Sequence, residues 1–140
     1  MNKTLMAFSF VLAVMLGIRG LDYVTGDDVS AAVTVADGAE MPMYWGVASI
    51  IAAVLVFGSL LLKKAGLLQN SALVCFAINA MFAVQAFATR MLPVPWPPED
   101  TRLVADHAGH AALWLLIAVV LWWREGINRR RDVILGRERQ

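Results

Sequence analysis

The sequence predicts an all-α integral membrane protein of four transmembrane helices, and three observations carry that expectation. Charge-free runs at residues 4–18, 41–62, 65–89 and 107–123 are separated by short gaps that hold the charged residues. The two central runs, 22 and 25 residues long, each exceed the roughly 20 helical residues that cross a hydrocarbon core. Mean hydropathy is +0.64 with only 16% charged residues, far more apolar than a soluble domain of this length requires.

The elements follow in order as one membrane domain over residues 1–140, with spans at about 4–24, 43–62, 66–89 and 104–123. The first charge-free run is too short on its own, since its 15 residues rise about 22 Å against a core of roughly 30 Å. It is therefore extended to Val24, which takes in Arg19 and Asp22 at i,i+3, close enough to pair near one interface. No small-residue cleavage site closes this run, which ends Arg19-Gly20-Leu21-Asp22, so the span is expected to be retained rather than removed as a signal peptide. Residues 25–42 have room for a short interfacial helix before the break at Asp37-Gly38, and Pro42 opens the second span as a first-turn proline. The proline-rich segment 93–98 is an extended, stiff connector. The fourth span can borrow residues 103–105 at its start; Asp106, immediately before the charge-free run, also reads simply as its N-cap. Tyr44, Trp45, Trp96, Trp122 and Trp123 form an aromatic belt at the two interfaces.

Lysine and arginine orient the spans. Lys3, the Lys63-Lys64 gap and the basic tail at 124–140, with Arg124, Arg129, Arg130, Arg131, Arg137 and Arg139 against three acids, belong on the cytoplasmic side. Both termini are thus expected in the cytoplasm, with the acidic gaps outside. The tail reads as a juxtamembrane segment able to sit on anionic membrane lipid.

Polar residues inside the spans are where function has to reside, because each is costly without a partner. In the third span Cys75, Asn79, Ala83, Ala86 and Arg90 recur at 4,4,3,4 spacing and form one small, polar face, suited to helix packing or to self-association. A second group gathers at the outer end: Arg19, Asp22, Asp106, His107 and His110 fall at similar depth. His107 and His110 lie one turn apart, a spacing that can chelate a metal with Asp22 or Asp106. Two histidines without a third ligand pattern read first as interface residues paired with Asp or Arg, so no metal and no cofactor is expected. Cys75 is the single cysteine and can form no intramolecular disulfide. Catalytic signatures are missing: there is no Gly-x-Ser-x-Gly, no phosphate-cradling glycine loop, no Cys-x-x-Cys and no His-Glu-x-x-His. The expectation is a non-enzyme, and the basic tail is explained by topology rather than by nucleic-acid binding.

The stretch Arg19-Gly20-Leu21-Asp22-Tyr23-Val24-Thr25-Gly26, then an alanine-rich acidic segment, then Met43-Tyr44-Trp45-Gly46, resembles small multi-pass membrane proteins encoded by bacteriophages of actinobacteria. The resemblance covers roughly the first 60 residues, and the rest of the chain is similar in architecture only. Proteins of this kind are often found beside lysis genes and treated as holin-like. The resemblance thus implies a homo-oligomer that permeabilises the host cytoplasmic membrane. Two other classes stand beside it: an accessory or superinfection-exclusion protein that binds another membrane protein, and a metal- or haem-binding membrane protein using His107 and His110.

Overall fold

The computed structural model describes residues 2–25, 42–90 and 101–135. Four helices make up the described chain: α1 Lys3–Thr25, α2 Pro42–Leu61, α3 Ala65–Arg90 and α4 Arg102–Ile134. Each is long and apolar enough to cross a membrane. The expected interfacial helix in 25–42 and the proline-rich connector at 93–98 lie outside the described residues, as does the side chain of Arg90.

One pattern builds all four helices. The buried positions of α1 include Ser9, Ala13, Leu16, Gly20 and Tyr23, and those of α4 include His107, Ala111, Trp114, Ala118 and Leu121, both at 4,3,4,3 spacing. Helix α3 continues the rule with Leu68, Ala72, Cys75, Asn79, Phe82 and Ala86. A 3.5-residue period keeps one seam of each helix facing its neighbours, the geometry of helical bundles. The 4,4,3,4 face expected for α3 differs at one step: Phe82 takes the buried place and Ala83 is only partly covered, because the bundle follows the 3.5 period rather than the 3.6 of a lone helix.

The helices pack as two hairpins. α1 lies along α2, α3 lies along α4, α2 and α3 touch over a smaller area, and α1 and α4 barely meet. Glycine brings the first pair together: a methyl group on Gly20 would stand 2.8 Å from the Gly46 carbonyl oxygen, and one on Gly46 would stand 2.7 Å from that of Gly20. Only hydrogen fits between those backbones. Farther down, Gly17 faces Ala53 and Phe10 meets Phe57 edge-on, so residue numbers fall along α2 as they rise along α1 and the pair is antiparallel.

The α2–α3 reversal is tight. Lys64 N–H donates to the Ser59 carbonyl and Lys63 N–H to that of Leu60, the two bonds of a Schellman motif. Lys63 sits at φ 52 in the position usually filled by glycine. Within the helices, the hydroxyl of Ser59 donates to the Leu55 and Val56 carbonyls and that of Ser71 to Leu67, so these polar groups are satisfied locally.

The outward faces are also apolar. Ile18, Ile51, Val54, Val84 and Leu116 are each more than half exposed, on surfaces where a water-soluble bundle carries charge. Charged residues collect at the two ends. Lys3, Lys63, Lys64 and Arg124 lie at one end, and Arg19, Asp22, Arg102 and Asp106 lie toward the other. α4 continues as helix to Ile134, well past the span end expected at residue 123. Arg129, which donates to Glu125 one turn earlier at 2.6 Å, supports that extension.

Candidate functional site

The site is built around Phe82, whose ring is the point where all four helices meet. Tyr23 of α1 stacks on Phe82 with ring centres 5.2 Å apart and planes 11° from parallel. His107 of α4 stacks at 4.9 Å and 16°. Trp45 of α2 meets it at 5.5 Å in a tilted contact. Tyr23 and Phe82 lie on the 3.5-residue seams of α1 and α3, and those seams are the sequence signal by which they can be found. Trp45, expected in an interfacial belt, instead faces the stack, and neither Tyr23 nor Phe82 is among the site residues expected from the sequence.

A polar layer continues from this stack. Arg19 reaches from α1 to α4, donating from Nη1 to His107 Nδ1 at 3.1 Å and forming an ion pair with Asp106 through Nη2. A guanidinium can only donate, so His107 Nδ1 is the bare nitrogen and the imidazole is neutral with its proton on Nε2. His110 makes the opposite use of its ring. Its Nδ1–H donates to the Asp106 carbonyl at 2.8 Å and lies 3.2 Å from the Asp106 carboxylate. Asp106 therefore joins the two helices and also holds the second histidine, while His107, only 2% exposed, is fixed by ring stacking on one side and Arg19 on the other.

Four of the five expected outer-end residues, Arg19, Asp106, His107 and His110, are brought together in this way. Asp22 is the exception. Its side chain takes no part in the network, and its backbone carbonyl accepts a bond from the Thr25 hydroxyl at 3.4 Å. Helical side chains lean toward the N-terminus, so Arg19 does not reach forward to Asp22, and the cross-helix partners offer its fork two acceptors. Asp106 is also not an N-cap: α4 starts at Arg102 with Thr101 in the cap position, one turn earlier than expected.

No group of three metal-ligating side chains occurs among the described residues. A cation entering between the two histidines would meet the Arg19 guanidinium. In α3, the Cys75–Asn79 face is turned into the bundle: Cys75 is fully buried and Asn79 is 1% exposed. Asn79 Nδ2 donates to the Cys75 carbonyl at 2.8 Å. Its Oδ1, the indole N–H of Trp114 and the hydroxyls of Ser9 and Ser49 are buried with no partner among the described residues, each an energetic cost that apolar packing offsets.

No protein-family model matches the chain, and neither a curated protein nor a solved structure is significantly similar to it.

Proposed function

We propose that this chain is a multi-pass protein of a bacterial cytoplasmic membrane, with both termini cytoplasmic, and that it acts as a holin-like permeabilising protein of bacteriophage lysis. One observation supports the membrane placement most directly. The helices are apolar both on their buried seams and on their outward faces, and charge is confined to the bundle ends, which is how a helix bundle suits a solvent of lipid chains. The lysis reading rests on the resemblance of residues 19–26 and 43–46 to small phage membrane proteins.

The interior of one copy is filled by side chains such as Val56, Leu68, Trp114 and Ile117, all at most 1% exposed. Permeability in this reading therefore arises between copies, once the protein accumulates and associates through its outward faces. Asn79 is buried inside its own bundle, with its hydrogen bond within α3, and contributes to association only if the bundle opens.

Induced expression in a bacterial host tests the proposal. The expected outcome is an abrupt loss of membrane potential after a delay, with release of a co-expressed cytoplasmic endolysin. Continued growth at full membrane abundance with the potential intact overturns the lysis reading in favour of an accessory protein that binds another membrane protein.

A further inference from the structure

The projecting end of α4 is left unused by the bundle, and its chemistry is specific. The last buried residue of the helix is Leu121. Beyond it, among the described residues, nothing covers Trp122, Trp123, Ile127, Val133 or Ile134, each more than half exposed. On a helix turning 100° per residue these five side chains, with Gly126 and Arg130, fall within an arc of about 140°. Arg124, Glu125, Asn128, Arg131 and Asp132 occupy the other side.

Depth can be read from the stacked pair. Phe82 and His107 are level and the two helices run antiparallel, so Arg124, 17 residues below His107, stands level with Ala65, 17 residues below Phe82. The Lys63-Lys64 turn is therefore at the height of Arg124. In a membrane whose inner edge lies at that turn, residues 124–130 rise about 9 Å, just past a headgroup layer roughly 5–8 Å thick, and the Arg130 side chain, leaning toward the helix N-terminus, reaches back into it. A shallow notch opens on the helix at this height, lined by Trp122, Trp123, Glu125, Gly126, Ile127, Arg129 and Arg130. Its floor is Gly126, where an added methyl group would meet nothing within 4 Å. Glu125 is engaged by Arg129.

We propose that this notch binds the headgroup of an anionic phospholipid, with Arg130 on the phosphate and the two tryptophans against the glycerol and upper acyl chain. The proposal rests on the membrane reading given above. Charge complementarity selects the occupant. The lysine turn and the arginines of α4 make this end strongly basic, and an arginine in the middle of an apolar arc is suited to a lipid surface, where its stem lies on apolar atoms and its fork pairs with phosphate. Two parallel copies of the chain packed through the same arc would bring Arg130 against its own counterpart, a like-charge contact whose nearest carboxylate, Glu125, is already engaged by Arg129.

The test is lipid retention. Protein reconstituted in nanodiscs of equimolar phosphatidylcholine and phosphatidylglycerol is extracted into detergent and its retained lipid quantified by mass spectrometry. Wild-type protein should retain phosphatidylglycerol about fivefold over phosphatidylcholine, the preference expected of one basic contact at a membrane surface. Arg130→Gln should lower that ratio to near one, while Arg131→Gln, on the opposite side of the helix, should leave it intact. Helical content by circular dichroism identifies any variant that fails to fold. Equal retention of the two lipids by wild-type protein, or equal losses in the two variants, overturns the site in favour of diffuse attraction. Displacement of the lipid by excess inorganic phosphate overturns the assignment to a headgroup. Failure to enter discs of any composition overturns the membrane reading and the site with it.

Discussion

Arg19 is the residue on which the α1–α4 contact depends, since those helices otherwise barely touch. The Arg19 side chain is 22% exposed and that of Asp106 46%, so the pair lies between the surface regime, worth at most about 1 kcal/mol, and the buried one, where removing a single partner costs about 3–5 kcal/mol. In a double-mutant cycle read by thermal unfolding in detergent, Arg19→Ala and Asp106→Ala should each destabilise, and the double variant should recover a coupling of roughly 1–2 kcal/mol. Asp22→Ala should be close to neutral; coupling to Arg19 as large as that of Asp106 would show that the sequence-level i,i+3 pairing is the true one. His107→Ala removes a buried ring from the Tyr23–Phe82 stack and should cost roughly 2–4 kcal/mol, more than His110→Ala, whose ring is 15% exposed and stands outside the stack. The depth of these residues was legible in the sequence, because helix length alone sets it. The choice between Asp22 and Asp106 was not, because it depends on which helices stand side by side.

At the scale of the helices, two local conformations carry direct expectations. Lys63 occupies a left-handed position at φ 52, which costs a residue with a side chain roughly 1–2 kcal/mol relative to glycine. Lys63→Gly should therefore raise the thermal unfolding free energy by about 1 kcal/mol, and Lys63→Ala should not; equal behaviour of the two would mean that the Schellman turn is not the conformation adopted. The second is the α1–α2 crossing. Gly20→Ala puts a methyl group against backbone rather than against a side chain that can move, so the helices must separate, at roughly 1–3 kcal/mol. Gly58→Ala is the matched control, with nothing within 4 Å of its added methyl, and should be neutral or stabilising by up to about 1 kcal/mol through helix propensity. The four elements themselves were readable from charge-free runs. The end of α4 was not, since hydropathy marks where a span leaves the apolar layer and not where the helix stops, and residues 124–134 continue as helix with support from the Glu125–Arg129 pair. The Cys75–Asn79 face was readable as a contact face, but its partner could not be named from one helix alone.

For the whole molecule, the arrangement of charge makes the two ends unequal, and the proposed orientation rests on that difference. The tight α2–α3 turn and the antiparallel α1–α2 pair place Lys3, Lys63, Lys64 and the arginines of the α4 extension at one end. At the opposite end lie Arg19, paired with Asp106, and Arg102, fewer cations than at the lysine turn and the α4 extension. Orientation follows lysine and arginine in short segments near helix ends, so the membrane reading proposed above expects the basic end in the cytoplasm. Site-directed labelling tests this directly, starting from a Cys75→Ala background that removes the single buried thiol at a position where a small residue fits. In intact cells a membrane-impermeant maleimide should modify Thr101→Cys, next to the start of α4, and should leave Gly66→Cys beside the lysine turn and Asn128→Cys on the α4 extension unmodified until the membrane is opened. Labelling has to be done at low expression, before any fall in membrane potential, because a permeabilised cell exposes both sides and erases the contrast. Protection of Thr101→Cys with modification of the other two would invert the topology. Equal modification of all three positions in cells that still hold their potential would mean that the four helices do not span the bilayer.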